Sequence, residues 1–179
     1  FDNSYGIDID ISDQNNIQNN TLENNGGSAI SLDTSDRNNI IDNSISMSWN
    51  GFYIYGSNNN ELIRNTLIDC GFNAIYLLYS RLNTLKENLM NKCGLLIYGI
   101  TLSEYNNDID TTNKVNDKIL YYHKNQNGIE IPQDAGEVIL VNCNSCIVTD
   151  LNLTDGTIGV ELAYSNNNTI SKNKIDKNN

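Results

Sequence analysis

Asn83-Thr84-Leu85-Lys86-Glu87-Asn88-Leu89-Met90 decides how the chain folds. It reads Asn, one residue, apolar, two residues, Asn, one residue, apolar. The same spacing occurs at Asn15, Ile17, Asn20, Leu22, and again at Asn38, Ile40, Asn43, Ile45. It recurs at Asn60, Leu62, Asn65, Leu67, and near the C-terminus at Asn168, Ile170, Asn173, Ile175. The first Asn steps from 15 to 38 to 60 to 83, a period of 23, 22 and 23 residues. Other columns hold that register. Ile7, Ile30, Phe52, Ile75 and Val160 form one, Ile9, Leu32, Ile54, Leu77 and Leu162 a second, and Ser12, Ser35, Ser57, Ser80 and Ser165 a third. So many columns in one register identify a repeat architecture.

Each repeat fits one template. Ile7-Asp8-Ile9 alternates as a short strand with two apolar side chains on one face. Asn16-Ile17-Gln18 and Thr21-Leu22-Glu23 give a second and a third strand, with turns between. Asn20 marks a corner, because Asn tolerates left-handed backbone angles. Small residues (Gly6, Ala29, Gly51, Ala74, Gly159) precede each first strand and suit a tight turn inward. Three short strands per roughly 22 residues describe a coil of a right-handed parallel β-helix, an all-β solenoid. A leucine-rich repeat would place its Asn differently, and helical repeats need a 3.6-residue period that is absent.

The chain of 179 residues is expected to form a single domain over 1–179, part of a longer protein, with about eight coils. At ~4.8 Å per coil, eight coils in one rod would span roughly 38 Å. Residues 95–136 are less regular and hold two coils with longer loops. Ile100 and Leu102 resemble a first strand there, Val115 to Tyr122 a β-rich run, and Ile129-Glu130-Ile131 another. The Asn column at 20, 43, 65, 88 and 173 is expected to pass side-chain hydrogen bonds along the axis, as stacked Asn ladders do. Open strand edges at both ends would invite head-to-tail self-association.

Net charge is −11, which argues against a nucleic-acid partner. No apolar run approaches the roughly 20 residues of a membrane helix. Four Cys do not fix a compartment, and sequons occur at Asn19, Asn152 and Asn167.

The Asn-Thr-Ile-x-x-Asn-x-Ile register with Gly-Ile-x-Leu resembles the NosD-like parallel β-helix repeats of the carbohydrate-binding and sugar-hydrolase repeat group. Residues 127–143, continuing to 159–165, are similar to repeats of archaeal cell-surface proteins of that group. The resemblance covers nearly the whole chain and implies an extracellular or cell-surface protein. It leaves function open, because the fold hosts enzymes, binders and scaffolds.

Copper would want imidazole, thiolate or thioether donors. The chain offers His123, Met47, Met90 and the Cys143-x-x-Cys146 pair, and two of these occupy ladder columns. No metal site or cofactor is expected. Cys70 and Cys93 share a column in adjacent coils, as stacked thiols or a disulfide. Sugar hydrolysis needs paired carboxylates. Asp8 and Asp10 flank Ile9, Asp33 stacks on Asp10, and Glu161 falls in the Asp8 column farther along. None meets a basic residue by column arithmetic, so no catalytic set emerges.

Outward positions of the first strand hold Tyr53 and Tyr76 in adjacent coils, with Tyr55, Tyr79 and Trp49 at the turns and Asp33 beside them. Exposed rings with polar tips suit sugars or another protein. They serve equally as an aromatic ladder on the sheet surface. The sequence therefore points to a non-catalytic rigid scaffold or adhesive module contacting polysaccharide or other surface proteins. The alternatives are a polysaccharide lyase, hydrolase or epimerase, and a copper-accessory protein.

Overall fold

The computed structural model describes residues 4–179 and is built from parallel coils. Coil one contributes β1 (Tyr5–Asp10), β2 (Asn16–Gln18) and β3 (Thr21–Glu23). Coil two gives β4 (Ser28–Asp33), β5 (Asn39–Ile41) and β6 (Ser44–Ser46). Coil three gives β7 (Asn50–Tyr55), β8 (Glu61–Ile63) and β9 (Thr66–Ile68). Coil four gives β10 (Asn73–Leu78), β11 (Thr84–Lys86) and β12 (Leu89–Asn91). Coil five is β13 (Leu95–Tyr98), β14 (Asp108–Ile109) and β15 (Lys114–Val115), with a 3-10 turn at Leu102–Tyr105. Like strands pair in parallel, one coil on the next.

The sequence columns become the core. Ile7, Ile30, Phe52, Ile75 and Leu95 are register partners in successive coils, as are Ile9, Leu32, Ile54, Leu77 and Ile97. Ile17, Ile40, Leu62, Leu85 and Ile109 stack under the second strands. Leu22, Ile45, Leu67, Met90 and Val115 stack under the third. Strand alternation points these side chains inward and the intervening ones outward.

The corners work differently from expectation. The left-handed residue is the one before the column Asn: Asn19, Asp42, Arg64 and Glu87 have φ between 53° and 57°. That conformation aims the corner N–H at the next coil, as in Asp42 N–H to Ile63 O at 3.1 Å. It also turns the following Asn inward. Asn43 Oδ1 then accepts from both Asn20 N–H and Asn20 Nδ2, at 3.0 Å each. Asn65 does the same for Asn43, Asn88 for Asn65, and Asn113 for Asn88. A second ladder runs Asn15, Asn38, Asn60, Asn83, Asn107. Ser12, Ser35, Ser57 and Ser80 make a third through their hydroxyls. A non-Gly left-handed residue is locally unfavourable by roughly 1–2 kcal/mol. The buried amide ladders hold the corner in that shape.

Asn173 is not part of the first ladder. Its Oδ1 accepts from Leu151 N–H at 2.9 Å and its Nδ2 donates to Val148 O, in a separate stack. That stack begins where the expected single rod breaks. Asn116 and Asp117 both have positive φ, 51° and 63°, and turn the chain in a two-residue hairpin. The expected continuous run from Val115 to Tyr122 is therefore two strands, β15 and an antiparallel β16 (Lys118–Lys124). From β16 the chain coils again through β17 (Ala135–Val141), β18 (Ile147–Thr149) and β19 (Asn152–Thr154). The last coil is β20 (Val160–Ala163), β21 (Thr169–Ser171) and β22 (Lys174–Asp176). Ile100 and Leu102 do not form a first strand. Leu95–Tyr98 takes that place, and both Ile100 and Leu102 are exposed.

β17 is buried on both faces. Val138 and Leu140 face the interior of the second stack. Ile139 and Val141 join Leu95, Ile97 and Tyr105 in the core of the first. The second stack therefore lies across the end of the first. Gly94 is required at this joint: a Cβ there would run into the Glu137 carboxyl. Gly94→Ala should destabilise the protein by about 1–3 kcal/mol through overpacking. A thermal melt matching wild type would contradict this.

Candidate functional site

The outer face of the first-strand sheet (β1, β4, β7, β10, β13) carries two columns. One is Asp8, Ser31, Tyr53, Tyr76, Leu96; the other is Asp10, Asp33, Tyr55, Leu78, Tyr98. The early coils are acidic and the later ones aromatic. Tyr53 and Tyr76 meet edge to face, centroids 5.7 Å apart and planes at 68°. Tyr53 and Tyr55 are parallel at 6.4 Å, as expected for i and i+2 on one strand face. Tyr79 sits at the corner after β10 with φ 52° and joins Tyr55 at 5.9 Å to Tyr98 at 5.7 Å. The result is one connected tyrosine surface.

Its members are not equivalent. Tyr53 and Tyr76 are half-buried, and burial raises both hydroxyls above the ordinary phenol range. They form the packed floor. Tyr55 and Tyr98 are 37% and 47% exposed and present ring surface to solvent. The column arithmetic missed Tyr98 because coil five lacks the full Asn repeat that set the register. It also missed Tyr105 and Tyr164, which lie edge to face at 6.0 Å across the joint. Tyr164 donates its hydroxyl to Ile100 O at 2.7 Å.

Trp49 makes its ring contact elsewhere. It stacks on Phe72 at 5.7 Å and 15°, at the end of β7 opposite Tyr55. The Trp49 corner borders a groove of about 430 Å³ lined by Asn24, Asn25, Met47, Ser48 and Asp69. Asp33 bonds the Thr34 hydroxyl at 2.7 Å and lies opposite both Asp10 and Tyr55. The ion pairs found among the described residues, Arg37–Asp13, Arg64–Asp42, Lys86–Asp108 and Lys92–Asp69, lie at other positions.

The donors considered for copper are dispersed. Met90 is in the core, Met47 is exposed, and His123 stacks on Tyr121. Cys143 and Cys146 are buried in ladder positions, where Cys143 Sγ donates to Val141 O at 3.3 Å. Cys70 and Cys93 are buried free thiols. Among the described residues no three His, Cys, Asp or Glu side chains cluster as a metal-ligand set, and no helix is long and apolar enough to cross a membrane.

A family model for the right-handed β-helix region matches residues 1–145. No curated protein matches the chain.

Proposed function

The chain belongs to the right-handed β-helix family, and from that premise we propose that it is a non-catalytic, surface-displayed or secreted scaffold that holds neutral polysaccharide weakly. The observation that carries this is the connected tyrosine surface of Tyr53, Tyr55, Tyr76, Tyr79 and Tyr98 on a rigid sheet. Rings fixed by ladder and core lose little conformational freedom on binding, which favours even weak contacts. Asp33 lies one coil away, opposite Tyr55, as an acceptor for sugar hydroxyls. The net charge of −11 repels uronic-acid polymers and accommodates neutral or basic glycans. The NosD-like resemblance of the repeats agrees with this role.

Affinity gel electrophoresis with soluble neutral glucan, xylan and chitosan tests it, with polygalacturonate as the repelled control. Wild type should be retarded by at least one of the first three. Tyr55→Ala with Tyr98→Ala should abolish the retardation while changing stability by only about 0.5 kcal/mol, as exposed substitutions do. Tyr53→Ala with Tyr76→Ala should lower both retention and melting temperature, since these rings are the packed floor. Trp49→Ala places the site: unchanged retention assigns it to the tyrosine surface, and lost retention moves it to the Trp49 groove. Absent retardation of wild type, or retention surviving the Tyr55/Tyr98 change, would make the tyrosines a structural ladder only.

A further inference from the structure

The strand β13 ends the first-strand sheet, and its free edge should carry unpaired N–H groups. No backbone strand covers it. Two side chains from the second stack do. Glu137 Oε2 accepts from Leu95 N–H at 3.2 Å and Glu161 Oε2 from Ile97 N–H at 3.4 Å. Thr157 Oγ1 accepts from Gly94 N–H at 2.8 Å and donates to Phe72 O at 3.1 Å. The two glutamates stand on one face of neighbouring strands, with Glu161 opposite Ile139, two residues beyond Glu137. Glu137 is 1% exposed, and its Oε1 has no hydrogen-bond partner.

The groups facing the pair offer no positive charge. They are the Cys93 thiol before β13, Tyr76 on β10, Tyr105 on the 3-10 turn and Tyr122 on β16. Two carboxylates here, Glu137 buried and Glu161 half-buried, would meet with nothing to offset them, whereas two neutral carboxyls still accept the edge N–H bonds.

We propose that Glu137 and Glu161 form a proton-operated latch holding the second stack, residues 118–179, on the end of the first. The movable joint is the Asn116–Asp117 hairpin that connects the two stacks. Protonated, the pair caps the strand edge and the joint is closed. Ionised, it repels itself and is better hydrated, so opening at the joint becomes more populated.

Burial pushes the Glu161 carboxyl from 4.5 to about 7, and burial followed by the Glu161 charge pushes Glu137 well above the glutamate range. Both shifts are upward, so the closed state binds more protons than the open one. Its stabilisation is complete below pH 4.5 and is lost as pH rises through about 7. The Glu161 shift alone makes opening about 300-fold more frequent at high pH.

Amide hydrogen exchange on the whole chain, from pH 5 to 8.5 and corrected for intrinsic rates, reads this directly. Over this range the Glu161 shift alone should lower protection at Leu95 and Ile97 by a factor of about 70. Protection at the Asn43 and Asn65 ladder should stay constant. Glu137→Gln with Glu161→Gln keeps an acceptor oxygen at each position and removes the charge. It should abolish the pH dependence and hold the joint closed at pH 8.5. Carboxyl carbon shifts in wild type provide a check that needs no variant: Glu161 should titrate near neutrality. Flat protection across the range, a fall shared equally by the ladder amides, or both glutamates titrating below pH 5 would each overturn the latch.

Discussion

Asn65→Leu should cost about 3–5 kcal/mol of unfolding free energy, the effect of several buried polar groups losing partners at once. Asn65 is fully buried in the middle coil of the first stack. Its Oδ1 accepts from Asn43 N–H and Asn43 Nδ2, both at 3.0 Å. Its Nδ2 donates to Ile40 O at 2.8 Å and to Asn88 Oδ1 at 3.1 Å. Leucine has the same branched shape and is somewhat larger, so the loss is not a cavity. It strands two N–H donors on Asn43 and takes the side-chain donor from Ile40 O, while Asn88 Oδ1 keeps only the residue-65 backbone N–H. Extra apolar burial by Leu offsets part of that. The change also removes what holds Arg64 in its left-handed conformation at φ 53°. For a chain of this size, the loss corresponds to roughly 10 °C in melting temperature. Asn173→Leu is the control. Asn173 occupies the same motif position but is half-exposed and bonded on one side only. It should cost about 1 kcal/mol. Equal urea midpoints for the two variants would mean that the ladder contributes nothing beyond its motif.

The contrast between Asn65 and Asn173 shows what the repeat pattern could and could not reveal. Column arithmetic identifies which residues point inward and which share a coil, because those follow from strand alternation and from the period. It placed Tyr53 above Tyr76 and Met90 in the core. It assigned the left-handed angle to the wrong residue, because Asn is the usual occupant of that region. Here the ladder needs the Asn amide inside, so Asp42, Arg64 and Glu87 take the strained angle instead. Asn107 and Asn113 continue both ladders into coil five, and their signal was present. Asn107-x-Ile109 and Asn113-x-Val115 keep the motif but stand six residues apart rather than five.

Glu161 was placed in the Asp8 column and read as an outward acid. The alternation was right. An outward position in the second stack faces the end of the first, so the side chain is half-buried. That outcome depends on Asn116–Asp117 reversing the chain, a two-residue event inside a β-rich run. A local turn of this kind relocates everything after it while leaving the periodicity of later coils intact. Periodicity alone cannot reveal it. Exposure of the tyrosines is hidden for a related reason: whether a ring forms floor or surface depends on which neighbours lean over it.

Phe52→Ala should destabilise by about 3–5 kcal/mol, and its effect should divide the stack. Phe52 is fully buried, the only aromatic in its inner column, between Ile30 and Ile75. The neighbouring backbones are fixed by parallel strand pairing and by amide ladders on either side. They cannot collapse into the space, so the cavity persists. In a solenoid each coil is stabilised chiefly by its two neighbours. A cavity in coil three weakens both of its interfaces. Coils one and two then depend on a single weakened contact, while coils four and five remain supported by the second stack. Hydrogen exchange should show Tyr5–Asp33 losing protection well before Asn73–Tyr98. Phe72→Ala is the matched control. Phe72 is 39% exposed and stacked on Trp49, so its loss should cost only about 1 kcal/mol and leave exchange uniform. Uniform loss of protection along the whole Phe52→Ala chain would mean that the coils unfold as one cooperative unit, and that nearest-neighbour coupling does not describe this stack.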